Sequence, residues 1–320
     1  MHTPAFPAAQ AGLALTVPPE LDGARLDVAL ARLCPEHSRA RLQAWIRAGR
    51  VSVDGEPRLR ARDTVHAGAR LLLVPEDLPC EEEPEAEPIP LNVLHEDEAL
   101  IVLDKPPGLV VHPGAGNPAH TLLNALLHHD PRLRNVPRAG IVQRLDKDTS
   151  GIMVVARTPE AHTYLVRALK EREVTRRYLA VVNGTVTAGG TVSAPIGHHP
   201  RDRLRMAVVP GGREAVTHYR VRERFAAHTL LEVTLETGRT HQIRVHMAHL
   251  HHPVLGDPAY GGRPRLPPGA SPALRATLQS FRRQALHASE LRLRHPLTGK
   301  AEAWQAPLPA DMALLVEVLR

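Results

Sequence analysis

The sequence predicts an α+β protein: a main domain at residues 91–320 built on a mixed, largely antiparallel central sheet, a linker at 76–90, and a small basic domain at 15–75. Three observations carry this. Apolar runs of strand character alternate with tight turns, and the helical stretches between them do not fall as regular crossovers, which argues against a parallel doubly wound sheet. A chain of 320 residues is long for one core, so a main domain plus a smaller module is expected. Between the two, Glu76 to Pro90 holds seven acids and four prolines with no Lys or Arg, a composition that resists regular structure and extends by self-repulsion.

In the small domain, Leu26, Ala29, Leu30 and Leu33 recur at helical spacing. Ser38 is a good N-cap for a second helix carrying Leu42, Trp45 and Ile46, and Gly49 suits its stop. Val51-Ser52-Val53 then runs into Asp54-Gly55, a hairpin signal, and Leu71 to Val74 supplies a closing strand. Arg39, Arg41, Arg47 and Arg50 gather around the second helix.

In the main domain, Ala99 to Leu103 predicts a core strand that breaks at Asp104-Lys105-Pro106-Pro107-Gly108 ahead of the apolar run Leu109-Val110-Val111. Leu122, Leu123, Leu126 and Leu127 mark a helix, Ile152 to Ala156 a buried strand, Ala161 to Arg172 an amphipathic helix, and Val174 to Val182 a strand containing Tyr178. Leu231, Val233 and Leu235 alternate as a half-buried strand, and Ile243, Met247 and Leu250 mark a helix with Arg244 in its first turns. Gly261 to Ser271 reads as a long basic loop, available to a polyanionic partner. Leu286 to Ala288 and Leu291 to Leu293 form a final strand region before a closing helix at Met312 to Leu319.

Net charge is +6 and the sequence pI is about 9.8. Outside the acidic linker the balance is 40 basic against 27 acidic residues, which favours a polyanionic partner such as nucleic acid over a neutral metabolite. Two cysteines, Cys34 and Cys80, build neither a disulfide framework nor a four-cysteine zinc site, which suits a reducing cytosol. The N-terminal Ala-rich run is broken by Pro4 and Pro7 and has no Lys or Arg before it, unlike a signal peptide. No apolar run approaches the roughly 20 residues of a spanning helix, so a cytoplasmic protein without a membrane partner is expected.

The stretch richest in chemistry runs from Gly140 to Gly151, Gly-Ile-Val-Gln-Arg-Leu-Asp-Lys-Asp-Thr-Ser-Gly, and leads straight into the Ile152 to Ala156 strand. Asp146, flanked by Arg144 and Lys147, therefore lies in a loop entering the sheet, where a rigid scaffold supports chemistry; it could equally cap a turn. Asp148-Thr149-Ser150-Gly151 spells an aspartic-protease motif, but no second copy supplies the partner carboxylate. Ser150 is not in a Gly-x-Ser-x-Gly context. Gly114-Ala115-Gly116 lacks the rest of a dinucleotide fingerprint, and no Walker-type loop occurs. His241, His246, His249, His251 and His252 are close in sequence without a His-Glu-x-x-His pattern, so hydrogen bonding or phosphate contact is expected of them in preference to a metal.

What remains is a lone carboxylate with cations beside it, a strand tyrosine, a helix arginine and a basic appendage. Gln143 to Gly151 resembles the signature of the RluA family of pseudouridine synthases. The likeness extends through Leu103 to Pro106, Val111 to Gly114, Arg176-Arg177-Tyr178, Gly238 to His246 and Leu286 to Ala288. Residues 15–75 resemble the small alpha-L RNA-binding domain, and the combination is similar to family members that act on the large ribosomal subunit's RNA. Gln143 departs from the pattern, which often has His there.

The resemblance implies a pseudouridine synthase fold and the conversion of uridine to pseudouridine in ribosomal RNA. A synthase acting on transfer RNA and a non-catalytic RNA-binding assembly factor stand as alternatives. It implies Asp146 as the catalytic carboxylate, Arg244 as its ion-pair partner and Tyr178 as the tyrosine against the target base. A carboxylate shielded from water needs such a partner to stay charged. Arg144, Lys105 and His112 are expected to hold substrate, and Arg39, Arg41, Arg47 and Arg50 RNA phosphates. Nothing is oxidised and no external group enters, so no redox cofactor is expected; the resemblance implies no metal, and the protein is expected to work as a monomer.

Overall fold

The computed structural model describes residues 12–37, 39–76, 84–114, 116–202, 205–262 and 266–320. Ser38, expected as a helix cap, and the side chain of Arg39 lie outside the described residues. So do residues 77–83 of the acidic stretch, with Cys80, and 263–265 of the basic loop. The chain divides into two compact units, Met1–Glu83 and Pro84–Arg320.

The first unit packs α1 (Leu26–Leu33) and α2 (Arg39–Arg47) on a four-stranded sheet of β1 (Leu13–Thr16), β2 (Val51–Val53), β3 (Glu56–Pro57) and β4 (Arg70–Leu73), in the order β1-β4-β2-β3. The helical spacing of Leu26, Ala29, Leu30, Leu42, Trp45 and Ile46 becomes one buried face against Val51, Val53, Leu71 and Leu73. The edge strand β1, which the sequence reading does not anticipate, pairs Leu13 with Leu73.

In the second unit the strands are β5 (Asn92–Glu96), β6 (Leu100–Lys105), β7 (Ser150–Ala156), β8 (Thr175–Asn183), β9 (Gly190–Ser193), β10 (Ile196–His198), β11 (Met206–Val208), β12 (Val216–Arg224), β13 (His228–Leu235), β14 (Leu286–Arg294) and β15 (Ala301–Gln305). The helices are α3 (Leu122–His129), α4 (Pro159–Lys170), α5 (Gln242–His249), α6 (Pro272–Ser280) and α7 (Ala310–Leu319). The central sheet runs β5-β6-β7-β14-β8-β13-β12-β9, with β15 on β14 and β10-β11 as a separate hairpin. All its pairings are antiparallel except β7 with β14. The sheet is thus mixed and largely antiparallel, as the turn spacing predicts.

β7 is buried along its whole length, which explains its continuous apolar run. α3 opens with a capping box between Thr121 and Asn124, and α4 with Thr158 accepting from the Ala161 N–H. Residues 84–90 have no regular structure yet do not hang free. The Asn124 side chain donates to the Glu85 carbonyl at 2.8 Å, the Glu87 N–H to the Asn124 carbonyl at 3.0 Å, and the His120 N–H to the Glu87 carboxylate at 2.8 Å. That end of the expected tether is fastened to the start of α3 through its backbone and the Glu87 carboxylate. No helix among the described residues is long and apolar enough to cross a membrane.

Candidate active site

Asp146 lies in the loop between Gly140 and β7, and several groups fix that loop. The Thr149 N–H closes a tight turn on the Asp146 carbonyl at 3.0 Å. Lys105 is wholly buried and donates to the carbonyls of Pro106, Leu109 and Lys147 at 2.8, 3.0 and 3.0 Å, stapling the β6 turn to the Asp146 loop. Lys105 therefore faces backbone and not the cleft, which corrects the expectation that it holds substrate; a sequence shows a cation but not the three carbonyls that bury it. Burial pushes its amine down to about 7 against the pull of Asp148 and Asp146. On the other side Gln284 donates to the Thr149 hydroxyl at 3.0 Å, and the Ser150 hydroxyl meets His287 Nδ1 at 3.0 Å.

Gly151 sets the register of the β7–β14 pairing. Its φ is +116°, and a Cβ there would lie 2.2 Å from the Ala288 carbonyl oxygen. Ala288 also pairs with Tyr178 on β8, so one row across three strands places the tyrosine beside the Asp146 loop. Tyr178 is 6% exposed. Burial, together with the Asp146 charge, raises its phenol pKa although Arg176 opposes this, so it is neutral near pH 7.

The Asp146 carboxylate accepts from Arg244 Nη1 at 2.8 Å, and the remaining edge of the guanidinium, Nε and Nη2, grips Asp257 at 2.6 and 2.9 Å. Burial alone would lower the Arg244 pKa, but the two carboxylates outweigh it and raise it further. Asp257 also accepts from the N–H groups of Ala259 and Tyr260 at 2.8 and 3.1 Å. The Tyr260 ring stacks near Arg244, 5.1 Å from its Cζ. The Tyr260 hydroxyl accepts from the Met206 N–H and meets His241 Nδ1, both at 2.9 Å, while His241 Nε2 stands 3.9 Å from Asp146. Burial lowers the His241 pKa although Asp146 opposes this. α5 is itself locked to β12: Gln242 donates to the Val216 carbonyl at 3.0 Å and the Thr217 hydroxyl at 2.9 Å, and His246 bridges Thr217 and the Ala194 carbonyl.

Asp146, Tyr178 and Arg244 line one cavity of about 660 Å³, rimmed by Arg138, Arg144, Lys170, Arg176, Arg213 and Arg239, and by Arg172 in ion pairs with Glu214 and Glu236. Arg176 Nε is buried with no hydrogen-bond partner. The arrangement is a carboxylate pinned by a guanidinium, with a neutral phenol nearby, inside a cationic rim suited to a polyanion. Arg144 is exposed at the rim, and His112 is half-buried in a neighbouring groove. Arg138 and Ala139, at φ +57° and +50°, precede the loop in a left-handed turn; each such non-glycine residue costs about 1–2 kcal/mol. Gly140 completes the turn because a Cβ there would lie 1.9 Å from the Ala156 carbonyl oxygen.

In the first unit, Arg41 and Arg47 are exposed on α2, with Arg41 5.8 Å from the Trp45 ring. Arg50 is less available than expected: it pairs with Glu76 at 2.5 Å. Sequence reasoning missed Asp257, Tyr260, His241, Arg138 and Arg176 as residues of the cleft and its surroundings. Asp257 and Tyr260 stand in a Gly-Asp-Pro-Ala-Tyr-Gly-Gly run whose acid and aromatic were the available signal.

A model of the RNA pseudouridylate synthase family matches residues 99–249, and an S4 domain model matches residues 24–71. A Pseudomonas aeruginosa protein named ribosomal large subunit pseudouridine synthase D is 58% identical over 307 residues, 96% of this chain and 95% of its own. The chain belongs to the RNA pseudouridine synthases. An Escherichia coli K12 protein of the same name is 55% identical over 310 residues, 96% of this chain and 94% of its own. Among solved structures, human RNA pseudouridylate synthase domain containing 4 superposes with a TM-score of 0.56 at 27% identity, covering 71% of this chain and 92% of the human one. The synthase is thus an isomerase carrying an S4 domain, and the Asp146 loop, Tyr178 and Arg244 all fall inside the family match.

Proposed function

We propose that this synthase converts uridines of large-subunit ribosomal RNA to pseudouridine, with Asp146 as the catalytic carboxylate. The observation that carries the reading is the Arg244–Asp146 ion pair of 2.8 Å inside a cavity that also holds Tyr178. The names of the relatives and the S4 domain support ribosomal RNA as the substrate.

Isomerisation breaks the bond between uracil N1 and ribose C1′, turns the base, and rejoins it through C5. The electron pair of the broken bond leaves with uracil, and a carboxylate oxygen of Asp146 opens that bond either by bonding C1′ or by taking the C2′ proton. The base then attacks C1′ through C5, the carboxylate is restored, the C5 proton departs and N1, freed of the ribose, takes up a proton. No electron or group is gained overall. Arg244 holds the carboxylate at a fixed angle throughout, because its other edge is anchored on Asp257. Tyr178 lies against the flipped base as a neutral phenol. The target must first leave its stack, at a cost of a few kcal/mol, and Arg144 at the rim holds the extruded strand. Arg39, Arg41 and Arg47 strengthen phosphate binding. The protein works as a cytoplasmic monomer without cofactor, consistent with chemistry that consumes nothing.

The test is to incubate the protein with large-subunit RNA from a strain lacking the enzyme and to map pseudouridine by carbodiimide adducts and primer extension. New stops with the wild type, absent with Asp146→Asn, are expected. No stops from either protein would contradict the reading.

A further inference from the structure

Beside the Asp146 cleft lies a second groove of about 640 Å³. Val110 and Leu123 give it an apolar wall, and His112 and Asn117 a polar edge. The residues it shares with the Asp146 cavity are two arginines, Arg138 and Arg144. Two adjacent nucleotides are joined by one phosphodiester, so two adjoining grooves with cations at their junction match a dinucleotide step.

Arg138 is held for such a task. The left-handed turn of Arg138, Ala139 and Gly140, strained and packed onto β7 through Gly140, fixes the backbone beneath its side chain. Its Nη2 donates to His112 Nε2 at 2.7 Å, which requires that nitrogen to be unprotonated. Burial, then the charges of Arg138 and Arg144, hold the imidazole pKa near 4, so the contact orients the guanidinium without neutralising it. Among the described residues no carboxylate pairs with Arg138 or Arg144. Like charges placed together with no carboxylate partner among the described residues suit an anion.

We propose that this groove takes the nucleotide next to the target uridine, and that Arg138, oriented by His112, grips the phosphate joining the two nucleotides together with Arg144. The inference rests on the reading of the cleft as a uridine site. His112 and Asn117 offer hydrogen bonds to the edge of the neighbouring base, so the groove is also a place where sequence context around the target is read.

The experiment uses the full-length protein and a stem-loop RNA whose linkages around the target uridine are replaced one at a time by uncharged methylphosphonate. One flanking linkage is expected to raise KM about 10-fold for the wild type, the worth of one charge-assisted contact. Arg138→Gln should raise KM about as much, with kcat held within a factor of about 3, and Arg138→Lys should recover part of the loss. On the sensitive linkage, where the phosphate no longer has a charge to grip, Arg138→Gln should add nothing to the cost of the neutral linkage, whereas at remote linkages their effects multiply. Multiplying effects of Arg138→Gln and the neutral phosphate at every linkage, or a His112→Ala protein whose KM matches that of the wild type, would overturn the assignment. Failure of the uridine-site reading shows differently: unmodified RNA would not be isomerised by the wild type, and the subsite would fall with it.

Discussion

Arg244→Lys separates the charge of Arg244 from its shape. The guanidinium serves two carboxylates at once, Asp257 through Nε and Nη2 and Asp146 through Nη1. An ammonium is a single point and cannot span both. Asp257 is fully enclosed, with its side chain 0% exposed, against 26% for Asp146. Leaving a buried charge unpaired costs about 3–5 kcal/mol, so the ammonium settles on Asp257 and the contact to Asp146 is lost. A hydrogen bond to a charged group is worth about 1.5–3 kcal/mol, which at 1.36 kcal/mol per decade is about 10- to 150-fold in kcat. KM should change little, because RNA phosphates are held at the rim. The assay is steady-state release of a tritium label from uracil C5 in a stem-loop RNA, beside a thermal melt to show that the fold persists. A kcat within about 3-fold of wild type, or a loss lying wholly in KM, would refute the positioning role of Arg244.

Three further outcomes are expected. Gly151→Ala drives a Cβ against the Ala288 carbonyl at a φ of +116° and should destabilise the protein by about 2–6 kcal/mol in urea unfolding, from overpacking and backbone strain together; an unchanged midpoint would mean that the β7–β14 pairing does not set the loop. Asp130 is held at about 2, first by Arg132 and then by Arg157. Its folded pKa thus lies below the unfolded value near 3.9, the unfolded chain binds more protons in between, and its contribution should be lost as pH falls from about 4 through 2. Asp130→Asn should flatten that limb of the acid-unfolding curve. Arg41→Ala and Arg47→Ala in the S4 domain should weaken RNA binding and reduce the salt slope of log K by about 1 for each phosphate contact removed, which filter binding at several salt concentrations checks.

Much of the fold is legible because its strands and helices carry their own periodicity. The Ile152–Ala156 run, the Leu-rich α3 and the Asp54-Gly55 turn each depend on neighbours in sequence. β9 to β12 were missed because they are edge or half-exposed strands. In Val216–Arg224 the inward residues are interleaved with Arg and Glu, and the alternation reads as a charged loop. The Asp146 loop and Arg244 were visible as contiguous motifs. Asp257 and Tyr260 also stand in a contiguous run, but their part in the site was not legible, since it comes from a turn that brings them against Arg244 and His241. Lys105 illustrates the opposite error. A lysine beside a Pro-Pro-Gly turn looks solvent-facing, and only the convergence of three carbonyls from two loops makes its burial tolerable.

The most direct test of the account is a single-turnover comparison of wild type and Asp146→Asn on the same ribosomal stem-loop, with binding measured in parallel. The Asn side chain keeps the shape and can still meet Arg244, but it cannot act as a carboxylate at C1′ or C2′. The account predicts binding within about 3-fold of wild type and conversion slowed by at least about 1,000-fold, the scale of losing the reacting group itself. Conversion by Asp146→Asn at a rate near that of the wild type would contradict it.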